Sequence, residues 1–146
     1  LFRSETFVEA MNRKAEAVGA LASNFTTPDG YDADGQYTTA YDLAQIAKAC
    51  LDNSCLAEIM GSFKISETWP SGREVTYYNT NELLNPDSPY YYPCAIGLKT
   101  GNSSQAGSCL VSAIRINGET YICVIMDSTD EIRFQDSISI CNELKA

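Results

Sequence analysis

The sequence predicts an α+β fold in which an antiparallel sheet carries helices on both faces. Three observations point there. First, Asn117-Gly118 separates two apolar runs, 108–116 and 119–127, and marks a two-residue type I′ hairpin turn. Second, that register sets Ile116 opposite Glu119, Ile114 opposite Tyr121 and Cys109 opposite Met126. One face then shows Val111, Ala113, Ile122 and Val124, the other Leu110, Ile114, Tyr121 and Ile125, so both faces need cover. Third, helical apolar spacing recurs before and after the hairpin, which supplies that cover.

In chain order, Phe7, Val8, Met11, Ala15 and Val18 predict a helix over about 6–18. Thr6-Phe7-Val8-Glu9 reads as its capping box and Gly19 as its stop. Residues 24–37 are rich in Asp, Gly and Thr and predict a loop. Asp32-Ala33-Asp34-Gly35 hints at calcium there, but with Gly35 at the sixth position of an EF-hand loop, Gly30 and Tyr41 fall where acidic ligands belong. Thr39 opens a second helix with Leu43, Ile46, Ala47, Cys50 and Leu51 on one face. Asp52-Asn53-Ser54 breaks it, and a short helix through Leu56, Ile59 and Met60 follows.

Residues 63–68 and 74–78 predict two strands about Pro70-Ser71-Gly72. Asn85 to Pro89 form a loop, and Tyr90-Tyr91-Tyr92 are expected to pack under it. After the Asn-Gly hairpin, Ser128-Thr129-Asp130-Glu131 is expected to cap a last helix with Phe134, Ile138, Cys141 and Lys145 in line. The chain of 146 residues therefore divides into a helical part at about 1–62, a hairpin at about 63–80, and a sheet with a last helix at about 94–146.

Composition excludes several functions. A net charge of −9 with no basic stripe argues against a nucleic-acid partner. The chain has no histidine, which removes Ser-His-Asp and Cys-His catalysis and most zinc sites. None of the six cysteines forms a C-x-x-C pair, and their apolar neighbours suggest small core residues rather than disulfides, although three bridges are possible in an exported protein. Cys109 and Cys123 fall on opposite faces of the hairpin and should not bond to each other. There is no apolar run near 18 residues and no signal peptide; the start at Leu1, without Met, suggests a processed or excised piece. No metal or cofactor is expected.

The chemistry concentrates at Ala95-Ile96-Gly97-Leu98-Lys99-Thr100-Gly101-Asn102, an apolar strand ending in Lys-Thr-Gly. Lys99 offers a cation, Thr100 a hydroxyl for an anionic oxygen, and Gly101 lets a substrate backbone approach closely. Lys-Thr-Gly is one signature of active-site-serine penicilloyl enzymes, with Ser-x-x-Lys and Ser-x-Asn as the others.

Further segments match one family in order: Phe7 to Asn12, Leu21-Ala22-Ser23-Asn24-Phe25, Gly30 to Ala44 with its Asp-Ala-Asp-Gly-Gln core, Asn79 to Leu84, Gly97 to Gly101, Ala106-Gly107 and Arg133-Phe134. The chain resembles the serine-type D-Ala-D-Ala carboxypeptidases, the low-molecular-mass penicillin-binding proteins, whose fold is β-lactamase/transpeptidase-like. The resemblance implies an extracytoplasmic bacterial hydrolase that trims the terminal D-Ala from peptidoglycan stem peptides through an acyl-enzyme, and that β-lactams inhibit. It implies substrate-carboxylate binding by Lys99 and Thr100, close approach at Gly101, and half an oxyanion hole from the backbone N–H of Asn102.

The departures are as informative. No lysine has a serine three residues before it, and no Ser-x-Asn occurs. Tyr77-Tyr78-Asn79 imitates a Tyr-x-Asn variant but lies too near Lys99 to be that motif. The resemblance therefore implies the C-terminal part of a single catalytic domain, with nucleophile, lysine base and second motif upstream of Leu1. Some members carry an arginine where Thr80 or Glu82 stands. Two other readings remain: a class A β-lactamase, which the Asp-Ala-Asp-Gly-Gln segment disfavours, and a non-catalytic relative that binds cell-wall peptide. Without an upstream strand, residues 119–127 would leave an apolar edge open to self-association.

Overall fold

The computed structural model describes residues 4–145. Three helices come first: α1 (Ser4–Ala17), α2 (Ala40–Leu51) and α3 (Ser54–Gly61). A two-stranded hairpin follows, β1 (Lys64–Thr68) with β2 (Glu74–Tyr78), and then a short 3-10 turn, Glu82–Leu84. The main sheet comprises β3 (Ala95–Ser103), β4 (Gly107–Ile116) and β5 (Glu119–Ser128) in that spatial order, all antiparallel, and α4 (Ile132–Glu143) closes the chain.

Asn117 and Gly118 both take positive φ, 52° and 86°, as a type I′ turn requires. Ile116 opposes Glu119 and Ile114 opposes Tyr121, as predicted. The expected pairing of Cys109 with Met126 does not form. The ladder slips by one residue between Leu110 and Ser108, where Asp127 takes φ 51° as the extra residue of a bulge.

Both faces of the sheet are covered. On one, Leu110, Ile114 and Ile116 pack with Phe134 and Cys141 of α4 and with Leu83 and Tyr92. On the other, Ala113 packs with Ala47 of α2 and Leu98, flanked by Leu51, Met60, Val111 and Ile122. Each fully buried leucine or isoleucine among them is worth about 1.5–3 kcal/mol. Between sheet and α4 the buried hydroxyls of Ser112 and Ser137 meet at 2.7 Å. Tyr90 stacks on Phe134 at 5.3 Å and Tyr92 is buried, while Tyr91 stays exposed.

The helical part is knitted by side chains from the segments that carry the family resemblance. Asn12 of α1 exchanges two 2.7 Å hydrogen bonds with the backbone of Phe25. Buried Asp42 accepts from the Ala22 N–H and the Ser23 hydroxyl, each at 2.7 Å. Thr39 caps α2 by accepting from the Asp42 N–H, and Asn53 caps α3 in the same way from Leu56. Gly19, at φ 88°, ends α1: its N–H reaches the Glu16 carbonyl, and the Ala20 N–H reaches that of Ala15.

Two predicted caps are corrected. Helix α1 already includes Ser4, so Thr6 lies inside it and Thr6 to Glu9 form no capping box. At α4 the N-cap is Glu131, which makes no side-chain cap bond; only a long 3.4 Å bond joins the Ile132 N–H to Thr129. The Asp130 carboxylate is drawn away by partners on the sheet and Arg133. The cysteines are free: Cys141 is buried, four are half-buried, and Cys55 is exposed rather than in the core. Burial pushes the Cys123 and Cys141 thiols up.

Candidate active site

Strand β3 is the edge of the main sheet, so one side of its backbone is unpaired among the described residues. Its N-terminal half is pressed against the end of α3. A Cβ on Gly61 would lie 2.9 Å from the Ile96 carbonyl oxygen, and Gly97 adopts φ 146° beside the Met60 carbonyl. Two glycines thus allow α3 to meet β3 and fix where Lys99 emerges.

The four predicted site residues follow one another along this edge. Lys99 is exposed and its ammonium turns back to the Thr100 carbonyl. Thr100 is buried, and its hydroxyl meets that of Thr80 at 2.5 Å. Gly101 is exposed; a Cβ there would meet only the Cys109 Cβ at 4.0 Å, so internal packing does not demand glycine at this place. Asn102 is exposed and its amide donates to Asp130 at 2.8 Å. Lys99 to Ser103 border a cavity of about 470 Å³ floored by Leu43, Ala47 and Met60. A second cavity, about 350 Å³, opens at Leu98 and Lys99 toward β1, β2 and Thr80.

Sequence reasoning missed the residues that hold this edge in place. Arg133 of α4, 9% exposed, donates to the Gly101 carbonyl at 3.1 Å and the Cys109 carbonyl at 3.4 Å. It also pairs with Asp130 at 3.4 Å, whose carboxylate accepts from Ser108 at 2.7 Å. The signal was present: Arg133, Ser137 and Cys141 recur every four residues, so an arginine stands on the helix's buried stripe. At the other end, Asp32 accepts from the Ser104 hydroxyl at 3.1 Å and the Gln105 N–H at 3.3 Å. The Ser103 hydroxyl, then Ser104 and the turn's N–H groups, hold the Asp32 carboxyl below its ordinary value. The Asp-Ala-Asp-Gly loop is thereby tied to the turn that follows Lys-Thr-Gly. Asn79 is occupied structurally, donating to the Met60 and Ser62 carbonyls and accepting from the Asn81 N–H.

Residues 3–130 match the family described as D-alanyl-D-alanine carboxypeptidase. The chain belongs to that family. It is 30% identical to a D-alanyl-D-alanine carboxypeptidase of Streptomyces sp. over 96% of this chain and 48% of that protein. It is 36% identical to DacD of Escherichia coli over 82% of this chain and 29% of the relative. Among solved structures, the Streptomyces DD-transpeptidase aligns with a TM-score of 0.84 at 30% identity, covering 94% of this chain and 53% of that one. The D-alanyl-D-alanine carboxypeptidase of Mycobacterium tuberculosis aligns at 0.76 and 28%, covering 94% and 54%. The chain thus spans about a third to a half of the length of such curated relatives. With this membership the class A β-lactamase reading falls away. The α+β architecture with its antiparallel sheet is that of the DD-transpeptidase neighbours.

Proposed function

We propose that this chain is the C-terminal portion of the catalytic domain of a bacterial serine-type D-Ala-D-Ala carboxypeptidase. In this reading the intact enzyme, outside the cytoplasm, removes the terminal D-Ala from peptidoglycan stem peptides and is acylated by β-lactams. The observation that carries it is the unpaired β3 edge, which presents Lys99, Thr100, Gly101 and Asn102 in succession beside an apolar cavity. An extended peptide would add along this edge as a further strand. Lys99 and the Thr100 hydroxyl would receive its terminal carboxylate, and Gly101 leaves room for its backbone. The Asn102 N–H would point at the scissile carbonyl oxygen and stabilise it as charge develops. Arg133 and Asp130 would hold Gly101 and Asn102 still for that task.

Acyl transfer needs an activated nucleophile, and no lysine here follows a serine by three residues. The serine and its lysine base would come from the part of the domain that the relatives have in addition, and would close the cavity under β3. Among the described residues no helix is long and apolar enough to cross a membrane. Strand β5 is the other edge of the sheet. It would pair with that same additional part or, in the chain alone, with a second copy. Intact-mass spectrometry after incubation with a penicillin tests the reading. The full-length enzyme should gain one penicilloyl group on a serine outside these 146 residues. The chain alone should gain none; a stoichiometric adduct on it would overturn the assignment.

A further inference from the structure

The β1–β2 hairpin projects from the rest of the molecule. Its strands pair only with each other, and of their residues only Ile65 and Val75 are half-buried, the others being exposed. A lone two-stranded hairpin is marginal in water, so aromatic surface left open on it is surface for a partner.

Register decides what that surface shows. Ile65 faces Tyr77 and Glu67 faces Val75. Beyond the ladder the Trp69 N–H bonds the Arg73 carbonyl, and the Gly72 N–H bonds that of Trp69, which closes the turn. Alternation therefore puts Ile65, Glu67, Trp69, Arg73, Val75 and Tyr77 on one face. That face begins at the cavity beside Lys99, which Ile65 and Tyr77 line, and ends at Trp69 on the tip. Trp69 is 47% exposed and Tyr77 50%.

The polar groups of the hairpin are open. Arg73 lies 6.0 Å from the centre of the Trp69 ring and Lys64 5.7 Å from that of Tyr78, and neither forms an ion pair among the described residues. The Tyr77 and Tyr78 hydroxyls are unpaired there too. Lys64 and Arg73 are balanced by Glu67 and Glu74, so the hairpin is neutral within a chain of net charge −9. Such a balance holds no attraction for an anionic lipid surface. Open ring faces edged by free hydroxyl, carboxylate and guanidinium groups suit a ligand with apolar C–H faces and a rim of hydroxyls and amides.

Taking its setting from the carboxypeptidase reading, we infer that this hairpin face docks an uncharged polysaccharide of N-acetylated hexosamines, the glycan of a peptidoglycan strand. Trp69 stacks on one sugar ring, while Arg73 and the Tyr77 hydroxyl bond its hydroxyls and acetamide. With the scissile carbonyl at Asn102 and the terminal carboxylate at Lys99, the acyl portion of a stem runs along β3 toward Ser103, away from the hairpin. The docked glycan therefore belongs to a neighbouring strand, and the cavity at Lys99 keeps the released D-Ala.

The probe is chitotetraose, a soluble N-acetylglucosamine tetramer, titrated into the full-length enzyme by calorimetry. Saturable binding is expected, weakened at least tenfold in Trp69→Ala. Trp69→Tyr, which keeps a ring, should hold binding within threefold of the unmodified enzyme, which separates a lost stacking face from a loosened hairpin. In Trp69→Ala, D-Ala release from glycan-linked stems should fall at least threefold relative to release from a free pentapeptide. No binding of chitotetraose, binding that Trp69→Ala leaves unmoved, or loss of binding in Trp69→Tyr overturns the docking face. A glycan-to-peptide ratio that does not move, or binding of anionic vesicles in place of the sugar, also overturns it. If neither substrate releases D-Ala, the carboxypeptidase reading fails, and the calorimetry alone decides the hairpin.

Discussion

The guanidinium of Arg133, on the last helix, donates to the carbonyl of Gly101, in the Lys-Thr-Gly strand, at 3.1 Å. The same nitrogen reaches Cys109 in β4, and its neighbour pairs with Asp130, which in turn holds Asn102. One nearly buried cation therefore joins α4 to two strands at the stretch of β3 that carries the proposed substrate-binding residues.

Removing that cation should cost stability. Arg133→Met keeps the length of the stem but leaves the Gly101 and Cys109 carbonyls without their charged donor and removes the ion pair to Asp130. Charge-assisted hydrogen bonds are worth about 1.5–3 kcal/mol, and urea unfolding should show a loss of that size. An unchanged midpoint would mean that water replaces the guanidinium without penalty.

The tie between the 30–37 loop and the turn after β3 should depend on acid. The Asp32 carboxyl is held down chiefly by the Ser103 hydroxyl, so its folded pKa lies below that of the unfolded chain. The sign follows: the ionised carboxylate is favoured in the fold, the contribution is complete above about pH 4, the ordinary aspartate value, and it fades as pH falls through the lower folded pKa. A carboxyl-carbon NMR titration should place Asp32 below ordinary aspartates, and Ser103→Ala should move it back up. A normal Asp32 titration in the unmodified chain would break the tie.

Much of the fold was legible before any coordinates. The Asn117-Gly118 turn, the Thr39 start of α2 and the apolar faces of β4 and β5 are local patterns, and local patterns are readable. The bulge at Asp127 was not, because it arises where a Cβ on Gly107 would lie 3.2 Å from the Asp127 Cα and the Ser128 carbonyl oxygen, a crowding between neighbouring strands. The cap at residues 128–131 was misassigned because Asp130 has a stronger use against Ser108, Asn102 and Arg133 than against its own helix. In the site, Lys-Thr-Gly stood out in the sequence, whereas the Thr80–Thr100 pair and the Asp32–Ser104 bond join residues 20 and 72 positions apart. Only folding brings those together.

Strand β5 should make the isolated chain self-associate. Among the described residues it pairs with β4 alone, and Tyr121 to Ile125 contain neither proline nor charge to block a further strand. Light scattering behind a sizing column should show dimers or larger species as concentration rises, and Val124→Lys should reduce them. A monodisperse 16.0 kDa species at high concentration would show that the edge is protected within the chain.

Lys99 carries the central claim of the proposed function: it would meet a carboxylate as a cation and would not act as the base. In the full-length enzyme, Lys99→Ala should slow acylation by penicillin by roughly one to two orders of magnitude, the kinetic equivalent of losing one charge-assisted contact. Lys99→Arg should retain part of the rate, because charge is what matters there. Stopped-flow acylation of the two variants, followed by intact mass, measures this directly. Near-normal acylation of Lys99→Ala would contradict the account and remove Lys99 from the site.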